Sequence, residues 1–163
     1  MAQNGKPTEV LPESGTNELE IMEFTIGKEI FGIQVDKVRE IMKWMPVKPM
    51  QKSHPDIEGI FKPRDELITV IDLAGFLSLS KSDYPERDIF IITNFKGQNF
   101  AFHVHTVEGI DRISWSQMKK PDKTIYGGKE GVANGIAEFE GRLITILDFE
   151  KVVAEIGPES DPQ

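Results

Sequence analysis

The stretch LITVIDL at Leu67–Leu73 decides how this chain is read, because it is written again seventy-six residues later as LITILDF at Leu143–Phe149. In each copy apolar residues run almost unbroken, which suits a strand covered on both faces. Each copy places an aspartate, Asp72 or Asp148, just before an apolar-spaced run, and an aspartate there reads as the N-cap of a short helix. As catalytic carboxylates the two would have to converge across the repeat, and nothing in the sequence asks for that.

The match extends outward. EGIFKPRDELITVIDLAGFL (58–77) aligns with NGIAEFEGRLITILDFEKVV (134–153), pairing Gly59 with Gly135 and Ile60 with Ile136. Further upstream, Phe31-Gly32-Ile33 matches Phe100-Ala101-Phe102 at an offset of sixty-nine. Each triplet lies in the second arm of an alternating hairpin pattern, LEIMEFTI (19–26) turning into IFGIQV (30–35), and DIFIITNF (88–95) turning into NFAFHV (99–104). Short segments ending on Trp44 and Trp115 follow, then loops with Pro46, Pro49 and Pro55 in one half and Pro121 in the other. The matched tryptophans read as packing between lobes rather than as stacking platforms for bases.

Two copies are too few, and the period too long, for a solenoid. The expected fold is mainly β, with two similar small barrel lobes and short helices, from halves of about 18–80 and 86–155. A unit of about 65–70 residues has a marginal core alone, so the two are expected to pack together. Residues 1–17 and 157–163 are rich in Pro, Gly and polar groups and read as a mostly flexible lead and the start of a linker.

Bulk properties exclude several function classes. The 163 residues are 39% hydrophobic and 28% charged, with no run long enough to span a membrane. Zero cysteines remove thiolate zinc sites and cysteine nucleophiles and fit a reducing cytoplasm. A net charge of −8 disfavours nucleic-acid backbones and anionic membranes. The basic residues Arg112, Lys119, Lys120 and Lys123 form only a modest cluster against that acidity.

His103 and His105 share a strand face at i and i+2 and would both reach one metal, but two ligands make no site. They read instead as two imidazoles on a surface strand. Gly127-Gly128-Lys129 and Gly131 lack the spacing and βαβ setting of a phosphate loop and read as a flexible loop. No nucleophile motif is present. The expectation is a duplicated acidic protein with no catalytic site, no cofactor and no metal, working through protein contacts.

FGIQVDKVREI (31–41) followed by IEGIFKPRDELITVIDL (57–73) resembles the CheW domain of bacterial chemotaxis, over about residues 18–156. Its V-x-E-I segment stands here as Val38-Arg39-Glu40-Ile41. Its G-I-x-N-L-R-G-x-x-x-P-V-I-D-L segment keeps Gly59, Ile60, Arg64 and Val70-Ile71-Asp72-Leu73. The sequence departs from it at Lys62-Pro63, Asp65 and Thr69. ESGTNELEIMEF (13–24) is similar to the start of CheV proteins, which fuse such a domain to a receiver, so the chain is read as the N-terminal domain of a CheV. The resemblance implies two five-stranded barrels and a cytoplasmic scaffold at receptor arrays. Its implied partners are the cytoplasmic tips of chemoreceptors and the regulatory domain of the histidine kinase CheA, bound through Val38, Glu40, Gly59 and Arg64 and through apolar edge strands. If the Asp65 backbone is left-handed, aspartate there costs about 1 kcal/mol relative to glycine. The rival readings are a plain CheW-like scaffold of another two-component pathway, and a β-barrel enzyme or nucleic-acid binder.

Overall fold

The computed structural model describes residues 17–120 and 131–157. Most of the 1–17 lead, the Gly127–Lys129 loop, Lys123 and the tail beyond Gly157 lie outside the described residues. The strands are β1 Glu18–Ile26, β2 Glu29–Gln34, β3 Glu40–Lys43, β4 Ile57–Phe61, β5 Ile68–Asp72, β6 Ile89–Phe95, β7 Gln98–Val104, β8 Thr106–Ser114, β9 Met118–Lys119, β10 Ala133–Phe139 and β11 Arg142–Leu147. Two helices follow the repeated phrase, α1 at Leu73–Phe76 and α2 at Phe149–Ile156.

The strands form two sheets, in the orders β8-β1-β2-β11-β10-β9 and β3-β6-β7-β5-β4. The expectation of one barrel per half gives way to an exchange. The β1–β2 hairpin of the first half joins β8, β10 and β11 of the second, while the β6–β7 hairpin of the second joins β3, β4 and β5 of the first. The registers repeat at the offsets legible in the sequence. Thr69 pairs with Phe100 in parallel, and Thr145 pairs with Phe31 in parallel. β4 bulges between Ile57 and Gly59, and β10 bulges between Ala133 and Gly135.

Each sheet is drawn into a ring by the chain that continues from its edge strand. Beyond β8, Met118 and Lys119 bridge to Ala137 and Ile136. Beyond β3, Lys48 exchanges two backbone hydrogen bonds with Ile60, at 2.8 and 2.9 Å. With β8 and β9 taken as one bent strand, both lobes are five-stranded.

The repeated phrase owes its apolar run to three cores. Ile68 and Val70 lie inside the second sheet with Phe61, Phe90 and Ile92. Ile144 and Ile146 lie inside the first with Ile21 and Ile113. Ile71 and Leu147 face the core between the sheets. There the Phe149 ring stacks on Phe102 of the second sheet at 4.0 Å and meets Phe24 of the first at 5.8 Å. From its second residue onward the phrase is buried except at Thr69 and Asp148, which are half-buried; Leu67 and Leu143 are 58% and 64% exposed. Trp44 and Trp115 each pack against the interior of their own sheet, not between the lobes.

Both aspartates are caps: Asp72 accepts the Gly75 N–H and Asp148 the Lys151 N–H. Gly157 belongs to the fold rather than to a linker. It ends α2 in the left-handed conformation at φ 69°, its N–H bonded to Val153 O.

Candidate partner-binding site

The β10–β11 ladder runs on to Phe139 and Arg142, and Glu140 (φ 53°) and Gly141 (φ 79°) make the turn. The matching β4–β5 ladder stops at Phe61 and Ile68. Pro63 stands where Phe139 stands and has no N–H to give. Residues 62–67 therefore open into a loop, and Arg64 reaches from it to β3. Its Nη2 lies 2.6 Å from Glu40 Oε2. Asp65 is not among the described residues with positive φ, so the aspartate carries no left-handed strain there.

The pair belongs to a larger network. Arg39, anchored by its N–H to Ile92 O at 2.7 Å, donates to Glu66 Oε1 at 2.7 Å and to Asn99 Oδ1 at 2.8 Å. Asn99 Oδ1 also accepts from Asn94 Nδ2 at 2.9 Å. The network joins β3, the β4–β5 loop and both arms of the β6–β7 hairpin on one exposed end of the second lobe. The hydrogen bond to Glu66 keeps the Arg39 guanidinium firmly charged, and the same bond draws the Glu66 carboxyl below its ordinary range. Because Arg64 and Glu40 are 57% and 30% exposed, their pairing adds little to folding, about 0–1 kcal/mol. It leaves a guanidinium available to an incoming acceptor.

The other two residues implied by the resemblance sit elsewhere. Val38 ends a 3-10 turn with its N–H on Val35 O at 3.0 Å, and its side chain packs half-buried on the inter-sheet core. Gly59 is buried at φ 150°, and a Cβ there would stand 2.1 Å from Lys48 O. Both serve packing. Arg39, Asn94 and Asn99 escaped the sequence reading, since a contact across sixty residues has no periodic signature. Ile41 and Ile110 hold matched places on the edge strands β3 and β8, facing Ile91 and Met22 in register, and are 41% and 57% exposed. Each edge strand thus exposes one isoleucine among polar or charged neighbours.

His103 is not a surface imidazole. β7 lies between β5 and β6, and the ring is held by Glu58 at Nδ1 and by Asp88 at Nε2. His105 turns away, and its Nδ1 accepts the Gly27 N–H at 2.8 Å. Among the described residues no three histidines and carboxylates are placed to hold a metal ion, and no helix is long and apolar enough to cross a membrane.

Comparison with known proteins agrees with the fold. The family model for the CheW-like domain matches residues 20–157. The chemotaxis protein CheW of Thermotoga maritima is 29% identical over 139 residues, covering 85% of this chain and 90% of that protein. The chemotaxis protein CheV3 of Helicobacter pylori is 28% identical over 156 residues, covering 89% of this chain and 50% of that protein. The crystal structure of the scaffolding protein TtCheW from Thermoanaerobacter tengcongensis superposes with a TM-score of 0.71 at 25% identity, covering 80% of this chain and 88% of that one.

Proposed function

Given that this chain belongs to the CheW-like domain family, we propose that it is a non-catalytic chemotaxis adaptor coupling the cytoplasmic tips of chemoreceptors to the regulatory domain of the histidine kinase CheA. The observation that carries this reading is the meeting of the two motif segments in space. Glu40 of the V-x-E-I segment and Arg64 of the G-I-…-R segment touch at 2.6 Å on an exposed face, although twenty-four residues separate them. Receptor helices dock at this end, where a helix carboxylate or carbonyl takes over the Arg64 guanidinium from Glu40. The exposed Ile41 and Ile110 on the edge strands supply apolar contact to a kinase domain of similar build. The adaptor works on the cytoplasmic side, within receptor arrays. The lead ESGTNELEIMEF supports the finer reading that it is the receptor-coupling part of a CheV.

The test is binding of purified receptor-tip and kinase-domain fragments to wild type and to Arg64→Ala. A charge-assisted bond shielded from water contributes about 1.5–3 kcal/mol, so the variant's Kd for the receptor tip should rise about tenfold or more. Its melting temperature and its kinase binding should change little. An unchanged Kd in a normally melting variant would remove Arg64 from the interface. Failure of wild type to bind either fragment would remove the adaptor reading.

A further inference from the structure

We propose that Glu58, His103 and Asp88 form a proton-operated clasp that holds the rim of the second lobe, firm when the imidazole carries two protons and loosened when it carries one. His103 Nδ1 meets Glu58 Oε2, and Nε2 meets Asp88 Oδ2 at 2.7 Å. Carboxylates only accept, so both bonds exist together when both ring nitrogens carry hydrogen. A neutral ring has one donor and must leave one carboxylate without its bond.

The two carboxylates belong to different parts of the rim. Glu58 is the extra residue of the β4 bulge, beside Gly59 and two residues from the Lys48–Ile60 bridge that closes the lobe. Asp88 leads into β6, and its carbonyl accepts the Trp44 N–H at 3.0 Å. Losing either bond therefore frees one side of the cavity of about 420 Å³ that His103 lines with Trp44, Val47 and Lys81.

The fold does not require this cluster. The first lobe keeps the same register, with Gln34 opposite Ile21 where His103 stands opposite Phe90. The places matching Glu58 and Asp88 hold Asn134 and Leu19.

The surroundings favour the charged ring. Burial opposes it, but the hydrogen bonds and charges of Glu58 and Asp88 outweigh burial and raise the His103 pKa. At the end of β5, Asp72 lines the same cavity and is met by Lys81 Nζ at 3.4 Å. Burial is the chief cause that lowers the pKa of His105, on the turn after β7. Asp56, hydrogen-bonded through its N–H to His54, backs Asp72 from the chain entering β4. With the folded pKa raised, the clasp is complete below the ordinary histidine value near 6.5 and is lost as pH rises through the higher folded value.

The experiment is an NMR titration of the histidine rings in the whole protein, with amide exchange at Trp44 and Ile60 followed across the same range and corrected for intrinsic base catalysis. His103 should titrate above the ordinary value, and both amides should lose protection through that titration. Each unit of raised pKa corresponds to about tenfold in the balance between firm and loose rims. In His103→Gln, and in Glu58→Gln if the first variant does not fold, this loss should vanish or shrink, while His105→Gln should keep it. Titration of His103 at or below the ordinary value would overturn the clasp. So would amide protection in wild type that does not change through the titration.

Discussion

Gly59→Ala separates a binding role for Gly59 from a folding one. At φ 150° an L side chain is strained, at about 1–3 kcal/mol. The new methyl would also stand 2.1 Å from Lys48 O and 2.7 Å from Lys48 C, so the backbone must move. That movement breaks the two hydrogen bonds between Lys48 and Ile60 that close the second lobe, at about 1 kcal/mol each. The expected loss is about 3–5 kcal/mol, a large part of the roughly 5–15 kcal/mol that holds a domain. Gly109→Ala is the control. It has a similar φ of 142° and nothing within 4 Å of the added Cβ, so it carries the strain without the clash. Urea titrations of both variants give the contact contribution by difference. A Gly59→Ala loss below about 1 kcal/mol, or no greater than that of Gly109→Ala, would refute the closing role of the Lys48–Ile60 bridge.

Ile71→Ala and Leu147→Ala, at matched places in the inter-sheet core and 0% and 2% exposed, should each cost about 2–5 kcal/mol in denaturant titration; losses below about 1 kcal/mol in both would place these strands outside the core. Asp111 is pushed up to about 6 by its hydrogen bond to Glu23, by burial and by the Glu23 charge. A raised carboxyl favours the fold while protonated, below its ordinary 3.8, and that contribution disappears as pH rises through about 6. Asp111→Asn should therefore melt higher than wild type at pH 7 but not at pH 4, and equal melting at pH 7 would count against the shared proton. The isolated halves 18–80 and 86–155 should be unfolded by circular dichroism and regain strand signal when mixed, because β3 needs β6, β5 needs β7 and β2 needs β11; a well-dispersed NMR spectrum from 18–80 alone would contradict the exchange.

The duplication was legible because one seven-residue phrase has to satisfy two cores at once, and few sequences do so. Its caps were legible for a similar reason: an aspartate at a strand-to-helix junction has one common use. The exchange of hairpins was not legible. In a repeated sequence β2 meets the same local pattern in β5 as in β11, so pairing within and between halves is nearly degenerate by pattern alone. The chain between β2 and β3 decides it. Five residues, three of them in the tight turn Val35–Lys37, carry the chain directly onto β6 of the other sheet. His103 was misread because alternation along one strand does not say that β7 has neighbours on both sides. In the site, the resemblance supplied Glu40 and Arg64, but nothing along the chain joins Arg39 to Asn99.

The internal repeat also supplies a comparison that separates fold from function within one molecule. Two lobes with the same strand order and register must meet the same folding requirements, so a buried residue they share is accounted for by the fold. Gly59 and Gly135 share a place against the bridging segment: a Cβ on Gly59 would stand 2.1 Å from the Lys48 backbone oxygen, and one on Gly135 would stand 2.7 Å from the flexible end of Met118 and 3.1 Å from Lys119 O. That gives Gly59 a part in ring closure. Arg64-Asp65 and Glu140-Gly141 also share a place, but one is an open loop whose arginine reaches across to β3 and the other a tight turn. Buried Glu23, gripped by Arg142 at 2.7 and 2.8 Å, stands where the other lobe has Ile92. His103 stands where the other lobe has Gln34. An aliphatic residue meets the packing requirement at the Glu23 place and an uncharged amide meets it at the His103 place, so neither charge is needed to build a lobe. The differences fall on opposite lobes, the carboxylate pair on the first and the guanidinium network and imidazole clasp on the second. An adaptor whose two ends are alike in fold and unlike in charge can receive two different partners without one competing for the other's place.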